Sequence, residues 1–409
     1  MSDAPTRVLD ASAVRDATGV AHRPGSVVVQ ARRIVDVGPP DAMRARYASA
    51  DTLALGGTLI VPAMVNAHAH LDLTALGRRP MTGDFIDWVD MVMRERPQSS
   101  EAIRAAVRDG LTQSAQAGVG WIGDIAGSDA AVEARWIGGD GAWPGGVSFL
   151  ECFGIGRAAD DAARRAWQRY EALASQCERA VVGLQPHAPY SAGDALYEML
   201  SAHREIGAST HLAETAEENE FVQDATGPFA SLLQRLGKWD DTIRGHGVSA
   251  VGRLRRWLED RPWVVAHGNY VDDADLDLLS RCPVSIAYCP VASEYFGHRD
   301  HRYRDMLEAG INVCLGTDSI VCQRPDAAQP LGIVDQMRRL HELDGTDPWR
   351  LLAMATTNGA KALGLEEGCG TLRRGAPARL VALQFDARDA TDPLTQVLRN
   401  NHPARALQD

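Results

Sequence analysis

Eight short apolar runs, each followed by a longer stretch patterned for a helix, organise most of this chain and leave few folds open to it. The runs are Leu59–Asn66, Val119–Ala126, Val147–Phe153, Ala180–His187, Ala208–Leu212, Trp263–His267, Val284–Tyr288 and Ile311–Gly316. Between them, segments such as Ala102–Ala117, Ala162–Ser175, Gly193–Glu205, Glu217–Leu236 and Pro330–Leu343 repeat apolar residues at i, i+3 and i+4, the period of a helix with one buried face. A strand that is apolar throughout is covered on both faces, as in a parallel sheet, and a helix returns the chain to start the next parallel strand. Eight such units over about 300 residues predict an α/β fold, a (β/α)8 barrel of TIM type. A doubly wound open sheet is the structural rival.

The two ends do not follow this rhythm. Residues 1–58 contain Ser26-Val-Val-Val-Gln-Ala-Arg-Arg-Ile-Val-Asp-Val37, and residues 363–409 contain Gly370-Thr-Leu-Arg-Arg-Gly-Ala-Pro-Ala-Arg-Leu-Val-Ala-Leu-Gln-Phe385. Both are rich in β-formers and broken by turn residues, with no helical pattern between strands. The expectation is a small β-sandwich built from residues 1–58 and 363–409, flanking a barrel over 59–362.

Charge and cysteine usage narrow the function classes. The formal net charge is −12 over 409 residues, which opposes binding to phosphate backbones and anionic membrane surfaces. Seven cysteines occur without a C-x-x-C pair, a pattern of free thiols in a reducing compartment. Met1 to Arg15 lacks an apolar core of export-signal type, and the stretch Leu53–Val65 is short and broken by glycine for a bilayer span. The expected location is the cytoplasm, with neither nucleic acid nor membrane as a partner.

The chemistry gathers at the strand ends. His68-Ala69-His70 closes the first run, and a spacing of two on a strand aims both imidazoles to one face. In a barrel the C-terminal ends of the strands line the mouth, where His68, His70, His187, His211, His267 and Asp318 all fall by this count. Read one at a time, each is a hydrogen-bonded structural histidine, and Asp318 is a helix cap. Read together, three neutral imidazoles and a carboxylate suit one divalent ion, Zn(II) being the expectation and Fe(II) fitting the same donors. His68, His70, His211 and Asp318 are assigned to it. Glu214, three residues after His211, is placed to handle protons beside water whose pKa such an ion lowers toward about 7. Glu214, His267 and Asp318 divide that work; the bland alternative for Glu214 is a solvated acid in the run Glu214, Glu217, Glu218, Glu220.

Other motifs fail on context. Gly118-Val-Gly-Trp-Ile-Gly123 leads into a strand instead of following one, so it is a turn and not a dinucleotide site. There is no P-loop, no H-E-x-x-H and no G-x-S-x-G.

The set Val61-Pro-Ala-Met-Val-Asn-Ala-His-Ala-His-Leu71, Pro186-His-Ala-Pro-Tyr-Ser191, His211-Leu-Ala-Glu-Thr215, His267-Gly268, Gly316-Thr-Asp-Ser319 and Gly370-Thr-Leu-Arg-Arg-Gly375 resembles the amidohydrolase superfamily. Within it the chain is most similar to the mononuclear deaminase and chlorohydrolase branch, which includes guanine, methylthioadenosine/S-adenosylhomocysteine and aminodeoxyfutalosine deaminases. The resemblance implies a metal-bearing barrel with a flanking β-sandwich. It gives His68, His70, His211 and Asp318 as ligands, Glu214 and His267 as the proton-shuttling pair, and His187 as a substrate contact. It also implies a hydrolytic deaminase of an aminated heterocycle, a purine base or nucleoside derivative. Hydrolysis of a cyclic amide or ring chloride is the enzymatic alternative, and a barrel kept as a structural subunit the non-enzymatic one. Homodimers are common in that branch, while nothing in the composition fixes the assembly. Binuclear relatives bridge their metals with a lysine after strand four; here the segment is Val181-Val-Gly-Leu-Gln-Pro-His187, and the chain's two lysines, Lys238 and Lys361, lie elsewhere.

Two stretches depart from the branch pattern, Cys289-Pro-Val-Ala-Ser-Glu-Tyr-Phe-Gly-His298 and Ile320-Val-Cys-Gln-Arg324, and both are expected to face the substrate. Trp88, in the segment after strand one, either lays an aromatic face against a flat ring or is buried with Phe85 on a helix. Trp88 and Ser319 join His187 as candidate substrate contacts.

Overall fold

A computed structural model of the chain describes residues 4–136, 143–177 and 181–407. Eight parallel strands form two four-stranded sheets in which sequence neighbours are spatial neighbours. The first sheet holds Met64–Ala69, Val119–Ala126, Gly145–Cys152 and Val181–Pro186, and the second Ser209–Leu212, Trp263–His267, Val284–Tyr288 and Asn312–Leu315. Neither sheet shows the reversal of strand order that a doubly wound sheet requires. Parallel bridges Leu184↔Ala208 and Ala69↔Asp318 link the sheets at both seams. Ala180, the expected start of strand four, lies outside the described residues.

The expected first run, Leu59–Asn66, divides between two sheets. Its front belongs to the long strand Asp51–Pro62, whose residues 58–62 pair antiparallel with Leu380–Gln384. The parallel strand begins only at Met64, after the chain changes partners at Ala63. An apolar run cannot reveal this change, because both halves are buried and both are extended.

One seven-stranded sheet collects both ends of the chain, with Asp51–Pro62 between Thr6–Arg15 and Leu380–Gln384. No second, facing sheet accompanies it among the described residues; instead helix Pro40–Arg46 sets Met43 against Val8 and Val28 on one face. The C-terminal segment also contains a helix, Pro393–Arg399, whose Leu394, Val397 and Leu398 join the main core. Asp392 caps it and Pro393 opens it, a start signal outweighed in sequence by the neighbouring β-rich stretch.

Helices cover the parallel strands as the 3.6-residue pattern requires, at Ser100–Gln116, Ala159–Gln176, Asp194–Ala202 and Ile333–Asp344 among others. The single helix expected over Glu217–Leu236 is two, Ala216–Asp224 and Gly227–Arg235, because Ala225 takes a left-handed conformation (φ 55°) and Pro228 starts a new first turn. Gly118, at φ 77°, ends helix Ser100–Gln116 and turns into the second strand, with no room for a side chain against Val381. All seven cysteines are free, and no described helix is long and apolar enough to cross a membrane.

Candidate active site

The ends of the first and last parallel strands clasp each other at the floor of the site. Thr317 and Asp318 both donate their backbone N–H to the His68 carbonyl, each at 3.0 Å. Asn66 fixes the same corner by donating to Thr317 Oγ1 at 2.7 Å. Three residues here hold left-handed backbones without being glycine: Ala213 (φ 52°), His267 (φ 73°) and Asp318 (φ 57°). Such strain persists where the surroundings over-determine it, and it aims the chain sharply at a strand end.

The four residues assigned as ligands converge. His70 Nε2 stands 3.3 Å from His211 Nε2 and 3.5 Å from Asp318 Oδ1, and His68 Nε2 is 3.9 Å from the same oxygen. His211 turns Nδ1 to the His187 carbonyl at 3.1 Å, which makes Nδ1 the donor and leaves Nε2 a bare lone pair. His68 is wholly buried, and neither of its ring nitrogens has a hydrogen-bond partner. Buried imidazole nitrogens without partners, facing other lone pairs and a carboxylate, fit a cation shared among them. Burial, helped by the neighbouring imidazoles, holds His68 and His70 well below the ordinary histidine pKa, and burial takes His211 down to about 4. All three are neutral at pH 7, the form that binds metal. Burial raises Asp318 to about 7; a cation beside it favours the carboxylate.

A second group shares this floor. Glu214 Oε1 lies 3.5 Å from His267 Nε2, and Glu214, His267 and Asp318 present ligand-type atoms within 4.8 Å of one another. Burial first, then the acids Asp318 and Glu218, keep the Glu214 carboxyl well above the usual range. Burial also keeps His267 neutral. A carboxyl pushed toward its neutral form beside an imidazole pushed toward its neutral form is a pair whose environment separates its roles.

The strand ends open into a cavity of about 740 Å³ lined by His70, His187, His211, Glu214, His267 and Asp318. Helix Phe85–Glu95, started by a reciprocal cap between Asp84 and Asp87, supplies Phe85, Trp88, Val89 and Val92 to one wall. Helix Gly227–Arg235 supplies Phe229, Leu232 and Leu233 to another. Trp88 therefore serves both readings of its sequence: it lines the cavity and packs at 5.2 Å, edge to face, on Phe296. His187 lines the cavity, with Nδ1 held by Ser191 Oγ at 2.6 Å.

Ser319 is placed differently. It is fully buried, its Oγ accepts the Val321 N–H at 2.9 Å, and it is absent from the cavity lining. The two divergent stretches likewise sit behind the site, lining none of the cavity. Ser293 donates to Asn269 at 2.8 Å, Gln323 bonds Gln336, and His301 meets the His267 carbonyl at 2.8 Å. The cavity lining does not include these stretches, contrary to the expectation that they face the substrate: the chain after strands seven and eight folds into short helical turns, and Phe296 packs against the wall residues Phe85 and Trp88.

Sequence reasoning missed Glu151, Arg96 and Asp72. Glu151 is the penultimate residue of the third strand, lines the cavity and lies 3.8 Å from His187 Nε2. Arg96 lines the cavity too, paired with buried Asp72 at 2.8 Å. A polar residue at a strand end was the available signal for Glu151, hidden because the run was drawn through Phe153. Burial raises Glu151 from 4.5 to about 8. A folded pKa above the unfolded one gives stability that is full below about pH 4.5 and lost as pH rises through about 8. Metal-free protein is therefore expected to lose stability between those values, on the order of 5 kcal/mol from this group as an upper bound. Glu151→Gln is expected to flatten that fall in melts at pH 5.5 and 8.5; an unchanged slope would remove Glu151 as its source.

A hydrolase built on parallel strands, with imidazoles and a carboxylate at their C-terminal ends, is the class that this geometry describes. The amidohydrolase family model matches residues 59–405, and the chain belongs to that family. As a member it is a hydrolase acting on carbon–nitrogen bonds. The aminodeoxyfutalosine deaminase of Deinococcus radiodurans is 27% identical over 384 residues, covering 88% of this chain and 86% of the relative. A 5-methylthioadenosine/S-adenosylhomocysteine deaminase of Haloarcula marismortui is 27% identical over 361 residues, covering 83% and 76%. The crystal structure of Helicobacter pylori aminofutalosine deaminase shares the fold, with a TM-score of 0.81 at 20% identity over 98% of this chain and 97% of that one.

Proposed function

We propose that this chain is a hydrolytic deaminase of an adenosine-type nucleoside, one divalent metal being held by His68, His70, His211 and Asp318. The observation that carries this reading is the placement of buried Glu214, 3.5 Å from His267, beside that donor set at the floor of the cavity. The two sheets close into one barrel in this reading, supported by the bridges at both seams, and the sheet of the two chain ends flanks it. Sequence similarity to adenosine-type deaminases supports the ring class.

When bound, a divalent ion in this set supplies a Lewis acid that brings the ionisation of water near neutral pH. The chain's own groups then move the protons. Asp318 and His267 accept the proton of the attacking water, which adds to the ring carbon bearing the amine. Glu214 gives its proton to the adjacent ring nitrogen as that carbon becomes tetrahedral, a role favoured by the burial that raises its carboxyl well above the usual range. Asp318 passes its proton to the amine, which departs as ammonia, and the hydroxyl on that carbon returns its proton to Glu214, leaving a keto product that keeps the hydrogen on its ring nitrogen and both carboxyls in their starting states. His187 hydrogen-bonds the substrate, and Trp88 with the Phe229 wall excludes water and takes up the nucleoside's substituent.

The test pairs elemental analysis with an ammonia-release screen over adenosine, 5′-substituted adenosines, adenine, guanine and pterins. About one metal per chain with ammonia from the adenosine group is the expected result. One metal with ammonia only from guanine or pterin would overturn the ring assignment, and a metal-free protein that resists reconstitution would overturn the mechanism.

A further inference from the structure

We infer that Glu218 is a positioning residue that sets the backbone of the catalytic acid Glu214; this rests on the role proposed for Glu214. Glu218 is wholly buried, and its two carboxylate oxygens take one backbone N–H each, from Ala213 at 3.0 Å and from Glu214 at 2.9 Å.

This is a different arrangement from an ordinary helix cap. Thr215 is the N-cap of helix Ala216–Asp224, and its hydroxyl accepts the Glu218 N–H at 3.2 Å. In the usual reciprocal box the glutamate at the third helical position returns to the N–H of the cap itself. Here it reaches past Thr215 to the two preceding residues, which form the turn out of the fifth strand. Ala213 in that turn holds φ 52°, a conformation that alanine rarely adopts.

The opposite side of the turn is gripped as well. Tyr270 donates its N–H to the Ala213 carbonyl at 3.0 Å, and Asn269 Nδ2 donates to the Glu214 carbonyl at 2.9 Å. The two peptide groups are thus held at their carbonyls by the chain after His267 and at their N–H groups by Glu218. Without an acceptor at Glu218, two buried N–H groups lose their partners and the strained turn loses its restraint. Glu214 then leaves its place 3.5 Å from His267. A carboxylate fits because two donors need two acceptor oxygens; glutamine offers one, and its NH2 group opposes the other N–H.

The experiment compares Glu218→Gln, Glu218→Asp and Glu214→Gln in the metal-loaded enzyme, reading kcat, KM, metal content and far-ultraviolet circular dichroism. Glu218→Gln is expected to lower kcat by about 10²-fold, the scale of a misplacement near 1 Å. KM is expected to stay within about threefold, with fold and metal intact. Glu218→Asp, which keeps both oxygens on a shorter stem, is expected to recover part of the loss. A normal kcat for Glu218→Gln alongside an inactive Glu214→Gln would overturn the positioning role alone. An active Glu214→Gln would overturn the reading of Glu214 and this inference with it. Loss of metal or of fold in Glu218→Gln, with activity falling in proportion, would assign Glu218 to stability instead.

Discussion

Replacing Glu214 by glutamine is expected to reduce turnover by about 10² to 10⁴-fold, the range general acid–base groups contribute. The substitution keeps size and hydrogen-bonding capacity but removes the transferable proton. Burial first, then Asp318 and Glu218, raises the Glu214 carboxyl well above the ordinary range, which favours the form that carries the proton. Binding should be affected little in this reading, because the apolar walls, Trp88 and His187 line the cavity apart from Glu214. The expected signature is a fall in kcat and kcat/KM together, with metal content near one per chain, read by ammonia release and elemental analysis. A variant retaining more than about a tenth of parental kcat would show that another group delivers the proton.

Removal of the metal is expected to act on both turnover and stability. With His70, His211 and Asp318 packed around His68, whose ring nitrogens have no partner, metal-free protein keeps those two buried atoms unsatisfied and a raised Asp318. A metal at 100 to 1,000 times its Kd stabilises the folded state by about 3 to 4 kcal/mol. Dialysis against a chelator should abolish ammonia release and lower Tm, and Zn(II) should restore both. His68→Ala goes further, because it removes a ligand from a fully buried position. That variant is expected to bind no metal and to stay inactive when zinc is returned. Metal retained at about one per chain in His68→Ala would take His68 out of the donor set.

The legible part of this molecule was the part written in local patterns. Seven of the eight parallel strands lie within a few residues of their apolar runs, because a strand buried on both faces has to be apolar along its length. The convergence of these side chains was legible because the mouth of such a fold collects whatever stands at strand ends, and His68, His70, His211, Glu214, His267 and Asp318 all stand there. What could not be read depends on partners distant in the chain. The division of the first run needs Leu380–Gln384 as a competing partner for residues 58–62. Arg96 reaches the cavity through Asp72, in a segment with no strand-end signal. Glu218 looked like one acid in a solvated run, and only the turn at Ala213 gives its carboxylate two donors. Ser319 was drawn toward substrate by its place beside Asp318, whereas its hydroxyl is spent on the next turn.

The seven-stranded sheet bears on how the chain is made. Strand Asp51–Pro62 leaves the ribosome after Thr6–Arg15, which is already present to take one of its edges. Its other edge waits for Leu380–Gln384, roughly 320 residues later, a delay of about 15 to 60 s at 5 to 20 residues per second. Through that interval an apolar strand holds a row of open backbone donors and acceptors, the template on which nascent chains mispair. The arrival of Leu380–Gln384 ends that exposure, so a segment some 320 residues downstream decides whether residues 58–62 stay where they folded.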